Sequence, residues 1–443
     1  MGQKKHPRLL SIDAYRGFVM LALMSGGFAI GSTLEAHPEL GEQRPWLGQL
    51  AHHFEHVEWA GCSFWDLIQP SFMFLVGAAV PFSRRASQRK GLGGFSMFCK
   101  ACMRSLLLIG LGILLYSQSE TQSVINFKLV NVLTQIGLGY MFVYIMANWR
   151  IRSQLAAVAV ILVGYGGAFY VYEPPAGDVV AVANLLDGNK AESVFDEDRD
   201  ELPDDMDQYI DHRSHFNKHT NAAAGFDRWF LNLFPRNEEE WRGRQFWINS
   251  GGYQTLNFIP SVATMIFGLI AGLVLIGEDT KGRKLTKLLG ASLACFAITF
   301  ALDTDIWPMQ IDGLASWSAC PVVKRIWTPT WALFSAGWAF GVLSAFYILF
   351  DILPLKHLAF PMKVIGMNSI VAYCLTTHGP FRYWFSRMFR KTLETVDAAI
   401  GRNITARVYG DGTYAAVYES IAVLGLMWLV CFWLYRRRLF VRI

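Results

Sequence analysis

Long runs of apolar residues recur along this chain of 443 residues, and each run is close to 20 residues long. A helix needs about 20 residues to cross the hydrocarbon core of a bilayer. The runs predict ten membrane-spanning helices, at roughly 14–33, 63–83, 98–117, 124–148, 153–172, 254–276, 285–303, 326–350, 360–379 and 413–435. We therefore predict an all-α, polytopic membrane bundle that forms a single domain over residues 1–443.

The composition fits a membrane protein and excludes an ordinary soluble one. Apolar residues make up 53% of the chain and charged residues only 17%, which is on the apolar side of soluble globular proteins. We therefore expect the lipid bilayer as a partner, and we expect no nucleic acid.

The charged residues lie mainly in the connections between the predicted spans. The N-terminus, every even-numbered connection and the C-terminal tail are basic, at 4–8, 84–100, 150–152, 281–287, 356–363 and 436–442. Because basic connections stay on the cytoplasmic side, the pattern predicts that both termini are cytoplasmic and that the first connection is outside. We expect the cytoplasmic membrane of a bacterium.

The longest polar segment, 173–253, falls on the predicted outer side and is too long for a simple connection. We predict an extracytoplasmic loop or lid. The aromatic residues in its second half indicate either an interfacial belt or a surface that stacks against sugar rings. His212, His215 and His219 would share one face of a helix. Metal binding is one interpretation of that face and a solvated polar segment is the other; we assign no metal site.

Two cysteines, Cys62 and Cys320, fall near the predicted outer face. An oxidising compartment would allow them to form a disulfide. Their separation along the chain leaves open whether they approach each other.

Candidate chemistry concentrates where the second span begins. His56 precedes the span at its predicted outer end, and Asp66 follows ten residues later. Imidazole is well suited to moving a proton near neutral pH, and an ionisable group in a membrane usually has a function. Asp66 is placed to orient the His56 ring if the entry to the span bends back.

Arginines collect at the predicted inner side. Arg16 begins the first span beside Asp13, and Arg84, Arg85 and Arg104 follow the second span. Guanidinium groups suit phosphate, so these four arginines are a candidate site for a phosphorylated cytosolic ligand. Positive-inside anchoring is the alternative for most of them.

Amides occur inside two later predicted spans. Asn131 and Gln135 lie four residues apart, and Asn368 lies in the ninth predicted span. Such side chains often join helices. Asn368 and Asn131 are also candidate donors to a developing oxyanion.

Several of these residues carry a resemblance to a known family. The blocks that match it in order are Arg8 to Gly17, His56–Trp59–Gly61–Asp66–Pro70–Phe72–Gly77, Arg104 to Leu108, Val132 to Gly137, Pro321–Lys324–Trp327–Thr328 and Gly366 to Ile370. They resemble the transmembrane acyltransferases related to heparan-α-glucosaminide N-acetyltransferase. The resemblance covers nearly the whole chain.

The resemblance implies a membrane acyltransferase that moves an acetyl group from cytosolic acetyl-CoA to a sugar amine or hydroxyl on the far side. His56 matches the family's active-site histidine, and we predict that Asp66 and Asn368 assist it. Arg16, Arg84, Arg85, Arg104, Asn131 and Gln135 are the predicted acetyl-CoA contacts. Lys324 and Trp327 are the predicted contacts with the sugar or glycan acceptor.

The chain departs from the family pattern at three positions. A family asparagine late in the first span is Gly27 here, the Gln–Arg step of the fourth span is Thr134–Gln135, and His378 is displaced by two residues. A transporter or flippase for a glycolipid or small anion is the alternative function. The small residues Gly26–Gly27 and Gly268–Gly272 would allow helix packing, including a homodimer.

Overall fold

The structure is a computed structural model that describes residues 9–117, 125, 127–186, 209, 211–234, 246–249, 251–306, 317–353, 355–377, 379–401, 403–409 and 412–441. Most of these residues are helical. Extended pairing in the described ranges is limited to two isolated antiparallel bridges, Ala60 with Val323 and Asp303 with Ser318. The all-α architecture predicted from the apolar runs is confirmed.

Eighteen α-helices are formed by the described residues. In chain order they are α1 (Leu10–Ser25), α2 (Ile30–Ala36), α3 (Pro38–Gln43), α4 (Pro45–His53), α5 (Ile68–Arg89), α6 (Gly94–Tyr116), α7 (Val132–Met146), α8 (Ile151–Val171), α9 (Ala176–Leu186), α10 (Ala222–Phe230), α11 (Phe258–Ile276), α12 (Lys281–Leu302), α13 (Pro329–Tyr347), α14 (Phe360–Gly366), α15 (Ser369–Thr377), α16 (Gly379–Ile400), α17 (Ile404–Tyr409) and α18 (Ala415–Arg436).

Within the described part of the chain, eight helical segments are long and apolar enough to cross a bilayer. They are Leu10–Ala36, Trp65–Arg89, Gly94–Tyr116, Ile151–Val171, Thr255–Ile276, Lys281–Leu302, Pro329–Ile352 and Ala415–Arg436. Each coincides with one of the ten predicted spans. The protein is therefore an integral membrane protein, and the predicted orientation of its termini stays a prediction.

The other two predicted spans are shorter than expected. The helix of the fourth run begins only at Val132, because the Asn131 side chain accepts a hydrogen bond from the Thr134 N–H and caps the helix there. In the ninth run, α14 ends at Gly366 and α15 begins at Ser369. The sequence thus predicts ten full-length spans, whereas eight helical segments among the described residues are long enough to cross a bilayer.

The centre of the bundle is the contact between α5 and α11. An added Cβ on Gly268 or Gly272 would meet the α5 backbone at Phe74 or Ala78, and one on Gly77 would meet the α11 backbone. Small residues permit such close approach of membrane helices. The glycines predicted as a surface for packing or dimerisation are therefore used inside one chain.

A left-handed turn follows α1. Gly26, Gly27, Phe28 and Ala29 all have positive φ, between 54° and 64°. Phe54 lies 2.9 Å from the position that a Cβ of Gly27 would take. This backbone conformation and this contact both favour glycine, so no polar side chain projects from the position where the family pattern has asparagine.

The described part of the 173–253 segment packs over the start of α5. The indole of Trp59 donates to the Phe216 carbonyl at 3.0 Å, and Gly252 lies against the Trp59 ring. The acidic stretch from Asp196 and the residues around Trp241 lie outside the described residues. What is described joins this segment to the loop that carries His56.

Candidate active site

The loop before α5 folds around one buried carboxylate. Asp66 is 1% exposed and accepts hydrogen bonds from the backbone N–H groups of Val57 and Ser63, at 3.2 and 3.1 Å, and from the Ser63 hydroxyl at 3.0 Å. It lies in the short 3-10 turn Trp65–Leu67 that directly precedes α5, close to the helix N-terminus, where the helix dipole favours negative charge. These contacts fix the loop and bring residue 56 next to residue 66.

A second loop supplies a cation to the same carboxylate. The Thr328 side chain accepts from the Val323 N–H and donates to the Pro321 carbonyl, which closes the loop between Pro321 and Thr328 into a compact turn. Gly61 N–H donates to the Val322 carbonyl at 2.9 Å, so the two loops pair along their backbones. This pairing brings Lys324 to Asp66.

His56, Asp66 and Lys324 form a compact cluster. His56 Nδ1 lies 2.7 Å from Asp66 Oδ1, Lys324 Nζ lies 3.1 Å from the same oxygen, and Lys324 Nζ lies 3.0 Å from His56 Nδ1. The shortest distance assigns the Nδ1 proton to the bond with Asp66. His56 Nε2 then carries the lone pair, which is the arrangement required of a base or nucleophile.

The histidine of the cluster is accessible while its partners are not. The His56 side chain is 41% exposed, whereas those of Asp66 and Lys324 are almost fully buried. The pKa of His56 is lowered, first by burial and then by the positive charges of Lys324 and Arg325, against the opposing effect of Asp66. The lowered pKa favours the neutral form of the His56 ring.

Two further residues, Arg325 and Tyr253, complete the surroundings of the cluster, and no sequence pattern placed them there. Arg325 donates to the Val57 carbonyl at 3.1 Å and to the Gly251 carbonyl at 3.0 Å. The Tyr253 ring centre lies 5.6 Å from Lys324 Nζ, within the range of a cation–π contact. Both residues tie the 173–253 segment to the cluster.

Comparison with known proteins finds two distantly similar proteins. No protein-family model matches the chain. Part of the chain is 24% identical over 143 residues to human heparan-alpha-glucosaminide N-acetyltransferase, and this match covers 32% of the chain and 19% of the human protein. The mouse protein of the same name is 22% identical over 142 residues, which cover 31% of the chain and 19% of that protein. The chain is related to these acetyltransferases. The matched region spans about a fifth of the length of either relative.

Of the four predicted arginines, two line an internal cavity. Arg16 and Arg104 contribute to a cavity of about 240 Å³ between α1, α5, α6, α7 and the α14–α15 break. The Arg104 guanidinium stacks on the Tyr140 ring at 4.7 Å. Its Nε is buried and has no hydrogen-bond partner among the described residues. A buried donor without a partner is costly, so this cavity suits an anionic or polar ligand.

The other two arginines lie apart from the cavity and hold helix ends. Arg84 donates to the Tyr144 carbonyl at 2.9 Å and to the Asn148 side chain at 2.7 Å. Arg85 donates to the Ile276 carbonyl at 3.2 Å. Arginine commonly caps the last carbonyls of a helix in this way. The expected cluster of four arginines is therefore divided into a cavity pair and a capping pair.

The predicted amide contacts also separate from the cluster. Asn131 caps α7 and donates to the Gly112 carbonyl, and Gln135 donates to the carbonyls of Leu129 and Thr255. Neither is among the described residues that line the arginine cavity. Both amides thus join helices, which was the simpler of their two interpretations.

Asn368 belongs with the arginine cavity rather than with His56. Its Oδ1 accepts from the Val441 N–H at 3.1 Å, and its neighbours Met367 and Ser369 line the cavity. Gly366 packs directly on the backbone of α1 at Asp13, near the start of that helix. The loop that carries His56 meets the chain at the opposite end of α1, where Phe54 contacts Gly27. The expectation that Asn368 acts together with His56 has no support in this placement.

Trp327 supports the second loop from behind. It is 1% exposed, has a φ of 48° and donates its indole N–H to Thr264 at 3.3 Å. A non-glycine residue in the left-handed region costs about 1–2 kcal/mol, and such strain collects at functional sites. Trp327 therefore supports the turn that carries Lys324. Both side chains are buried, so neither is exposed for the predicted contact with the sugar acceptor.

The three histidines of the 173–253 segment do not converge. His212 donates to the Ser318 carbonyl at 2.7 Å, His215 lies against the Tyr170 ring, and His219 is buried. Across the described ranges, no three metal-ligating side chains come together. Cys62 and Cys320 are both free thiols and both buried. His378 lies outside the described residues.

Proposed function

We propose that this protein is a membrane-embedded acyltransferase that moves an acetyl group from cytosolic acetyl-CoA to an amine or hydroxyl of a sugar on the extracytoplasmic side. The observation that carries the proposal is the exposed His56 imidazole held by buried Asp66 and Lys324. The relation to heparan-alpha-glucosaminide N-acetyltransferases supports the same reaction class. The basic connections support a bacterial cytoplasmic membrane with both termini inside.

The proposed reaction needs one base and one positioned carbonyl. The acceptor nitrogen or oxygen attacks the acetyl carbonyl carbon of the thioester, and His56 Nε2 removes the proton of the attacking group. The carbon–sulfur bond then breaks, and the leaving sulfur takes that proton to give free CoA. Alternatively, Nε2 itself accepts the acetyl group first and passes it on.

Asp66 and Lys324 have separate tasks in this scheme. Asp66 fixes the Nδ1–H tautomer and the plane of the ring through its 2.7 Å bond, and it stabilises the imidazolium that forms during the step. Lys324 disfavours that imidazolium before the substrate arrives. The balance of the two charges supports a histidine that is neutral at rest and accepts a proton readily in the transition state.

The arginine cavity is the proposed place for the acyl end of acetyl-CoA. The unpartnered Arg104 Nε and the guanidinium of Arg16 would hold polar atoms of the acyl-carrying arm, because guanidinium groups favour phosphate and carbonyl oxygens. A volume of about 240 Å³ is below that of a typical site for a whole drug-sized ligand. The cavity therefore fits the narrow arm and not the entire nucleotide.

The position of α5 links the cavity to the cluster. Phe72 lines the cavity and Asp66 holds His56. The two residues are six positions apart, which corresponds to a rise of about 9 Å at 1.5 Å per helical residue. An extended acyl arm covers such a distance. Transfer from the inner cavity to the outer histidine thus requires no large movement of the helices.

Purified protein with radiolabelled acetyl-CoA and amino sugars tests the proposal. We expect covalent label on the sugar with wild type, and a rate at least about 100-fold lower with His56→Ala, the low end of the effect of a general base. His52→Ala is the matched control, since His52 is a neighbouring histidine on α4, and it is expected to retain activity.

Unmodified sugar recovered from both proteins would contradict the enzyme. If vesicles containing the protein then accumulated that sugar or a glycolipid, the transporter would be the correct function. Full activity of His56→Ala would instead retain the acyltransferase and remove the histidine from its mechanism.

A further inference from the structure

A second, apolar crevice lies beside the histidine cluster. It has a volume of about 440 Å³ and is formed by α1, α5 and α13. Its walls include Phe18, Ala22, Leu67, Trp338 and Val342. A dry cavity of about 150 Å³ takes a benzene ring, so this crevice has room for on the order of a dozen or more carbon atoms.

The shape of the crevice follows the membrane normal. Along α13 the lining residues run from Phe334 to Phe346, twelve residues that rise about 18 Å. One leaflet of a bilayer has about half of the 30 Å hydrocarbon thickness, or about 15 Å. The three helices that form the crevice belong to segments long enough to span a bilayer. A length close to that of one leaflet suits a hydrocarbon tail.

The interior of the crevice offers little to a polar ligand. The hydroxyls of Tyr15 and Ser71 both line it, and they are bonded to each other at 2.8 Å. An apolar wall with its hydroxyls already paired favours an apolar occupant, because a polar group placed there would lose its bonds to water.

The crevice opens towards the surroundings of the helices. Ala345 is exposed, and Trp338 and Val342 on the same helix are only partly buried. Because α13 is part of a segment apolar enough to span a bilayer, these residues face lipid. A lipid tail can therefore enter from the side without leaving the hydrocarbon phase.

The end of the crevice lies at the catalytic loop. Cys62 and Ser63 line it, and the Ser63 hydroxyl donates to Asp66 at 3.0 Å, the carboxylate that holds His56. A molecule whose tail fills the crevice would thus have its head group beside the His56 ring. The arginine cavity, by contrast, is lined by Arg16 and Arg104 and suits the anionic donor.

We propose that the crevice binds the hydrocarbon tail of a lipid-linked amino sugar, so that the acceptor is a membrane glycolipid presented to His56 by its own tail. This inference rests on the proposed acyltransferase function. It assigns the tail to the acceptor because the crevice joins the His56 loop and because no lysine or arginine is among the described residues that line it.

A series of alkyl glucosaminides with tails of one, four, eight and twelve carbons tests the assignment. With labelled acetyl-CoA, and with each acceptor below its micellar concentration, kcat/KM for wild type is expected to be at least tenfold higher for the dodecyl than for the methyl compound. Ala345→Trp places an indole at the exposed edge of the crevice and is expected to reduce that ratio at least fivefold. Ala297→Trp, at an exposed alanine of α12, is the matched control and is expected to keep the wild-type ratio.

Equal kcat/KM for the methyl and dodecyl compounds would overturn the lipid-linked acceptor while leaving the acyltransferase intact. A tail advantage that survives unchanged in Ala345→Trp would also overturn it, since the advantage would then come from general partition into the membrane. If neither compound is labelled, the acyltransferase itself fails for amino sugars.

A binding measurement separates these cases from activity. A dodecyl glucosaminide that carries a diazirine on its tail is expected to label peptides of α1 and α13 around Ala22 and Trp338 in wild type, and several-fold less in Ala345→Trp. Labelling spread evenly over lipid-facing helices such as α12, in both proteins, would contradict a built site for the tail.

Discussion

Replacing Lys324 by methionine removes a positive charge 3.0 Å from His56 Nδ1 and keeps a side chain of similar length. Two unit charges 4 Å apart interact by about 1 kcal/mol in a water-like medium and by about 4 kcal/mol near a protein surface. His56 is 41% exposed, so the lower figure applies. The pKa of His56 is therefore expected to rise when this charge is removed.

The sign of the effect follows from the reactive form of the ring. Only neutral His56 accepts a proton or an acetyl group, so kcat/KM falls as the pH is lowered through its pKa. Burial first, and the charge of Lys324 in addition, hold that pKa below the value of free imidazole, and the acid limb of the profile lies correspondingly low. In Lys324→Met the limb is expected to move to higher pH.

The assay is kcat/KM for acetyl transfer as a function of pH, with Lys324→Arg as the control that keeps the charge. A variant that was merely less well folded would lose activity at every pH without moving the limb. An acid limb that stays in place, or moves to lower pH, in Lys324→Met would refute the electrostatic role of this lysine.

Three further predictions follow from individual contacts. Asp66→Asn keeps the size of the side chain but removes the charge that orients the Nδ1–H tautomer, so kcat is expected to fall at least about 100-fold. The melting temperature is expected to fall as well, because the variant leaves Lys324 buried without its counter-charge. Arg104→Gln is expected to raise the KM for acetyl-CoA about tenfold, because a hydrogen bond to a charged group contributes about 1.5–3 kcal/mol. Arg85→Gln, which changes a residue of α5 that contacts the end of α11, is expected to leave this KM unchanged. Equal effects of the two substitutions would contradict the role of the cavity in binding acetyl-CoA. Gly268→Ala is expected to lower the melting temperature by several degrees, since its Cβ would meet the α5 backbone and overpacking costs about 1–3 kcal/mol. Gly290→Ala is the control, because a Cβ there meets open space, and it is expected to keep or raise the melting temperature.

The fold was largely readable from the apolar runs because burial in lipid depends on local composition. The fourth and ninth runs show the limit of that reasoning. A run length does not reveal that Asn131 caps α7 after the run has begun, or that the chain breaks between Gly366 and Ser369. Hydropathy averages over such local hydrogen bonds and therefore overestimates helix length.

The candidate site was only partly predictable, and the difference is one of sequence separation. His56 and Asp66 are ten residues apart, so a bent entry to one helix suffices to join them, and the structure has that contact. Lys324 reaches the pair from 258 residues away through the pairing of two loops. Charge and spacing along one helix carry no information on such a contact.

The separation of the four arginines into two pairs has the same cause. They share a predicted membrane face, but a face is wide enough to hold a helix cap and a cavity side by side. Arg84 and Arg85 meet the carbonyls of neighbouring helix ends, while Arg104 points into the bundle. Only the packing of α5, α6, α7 and α11 separates these two uses.

Transfer across a sealed membrane tests the central claim most directly. Protein is reconstituted into vesicles with its termini outwards, an amino sugar or glycolipid acceptor is enclosed, and labelled acetyl-CoA is added outside. The account predicts acetylated acceptor inside the vesicles with wild type, and at least about 100-fold less per unit time with His56→Ala. Equal labelling of the enclosed acceptor by both proteins would contradict the assignment of His56 as the acyl-transfer centre.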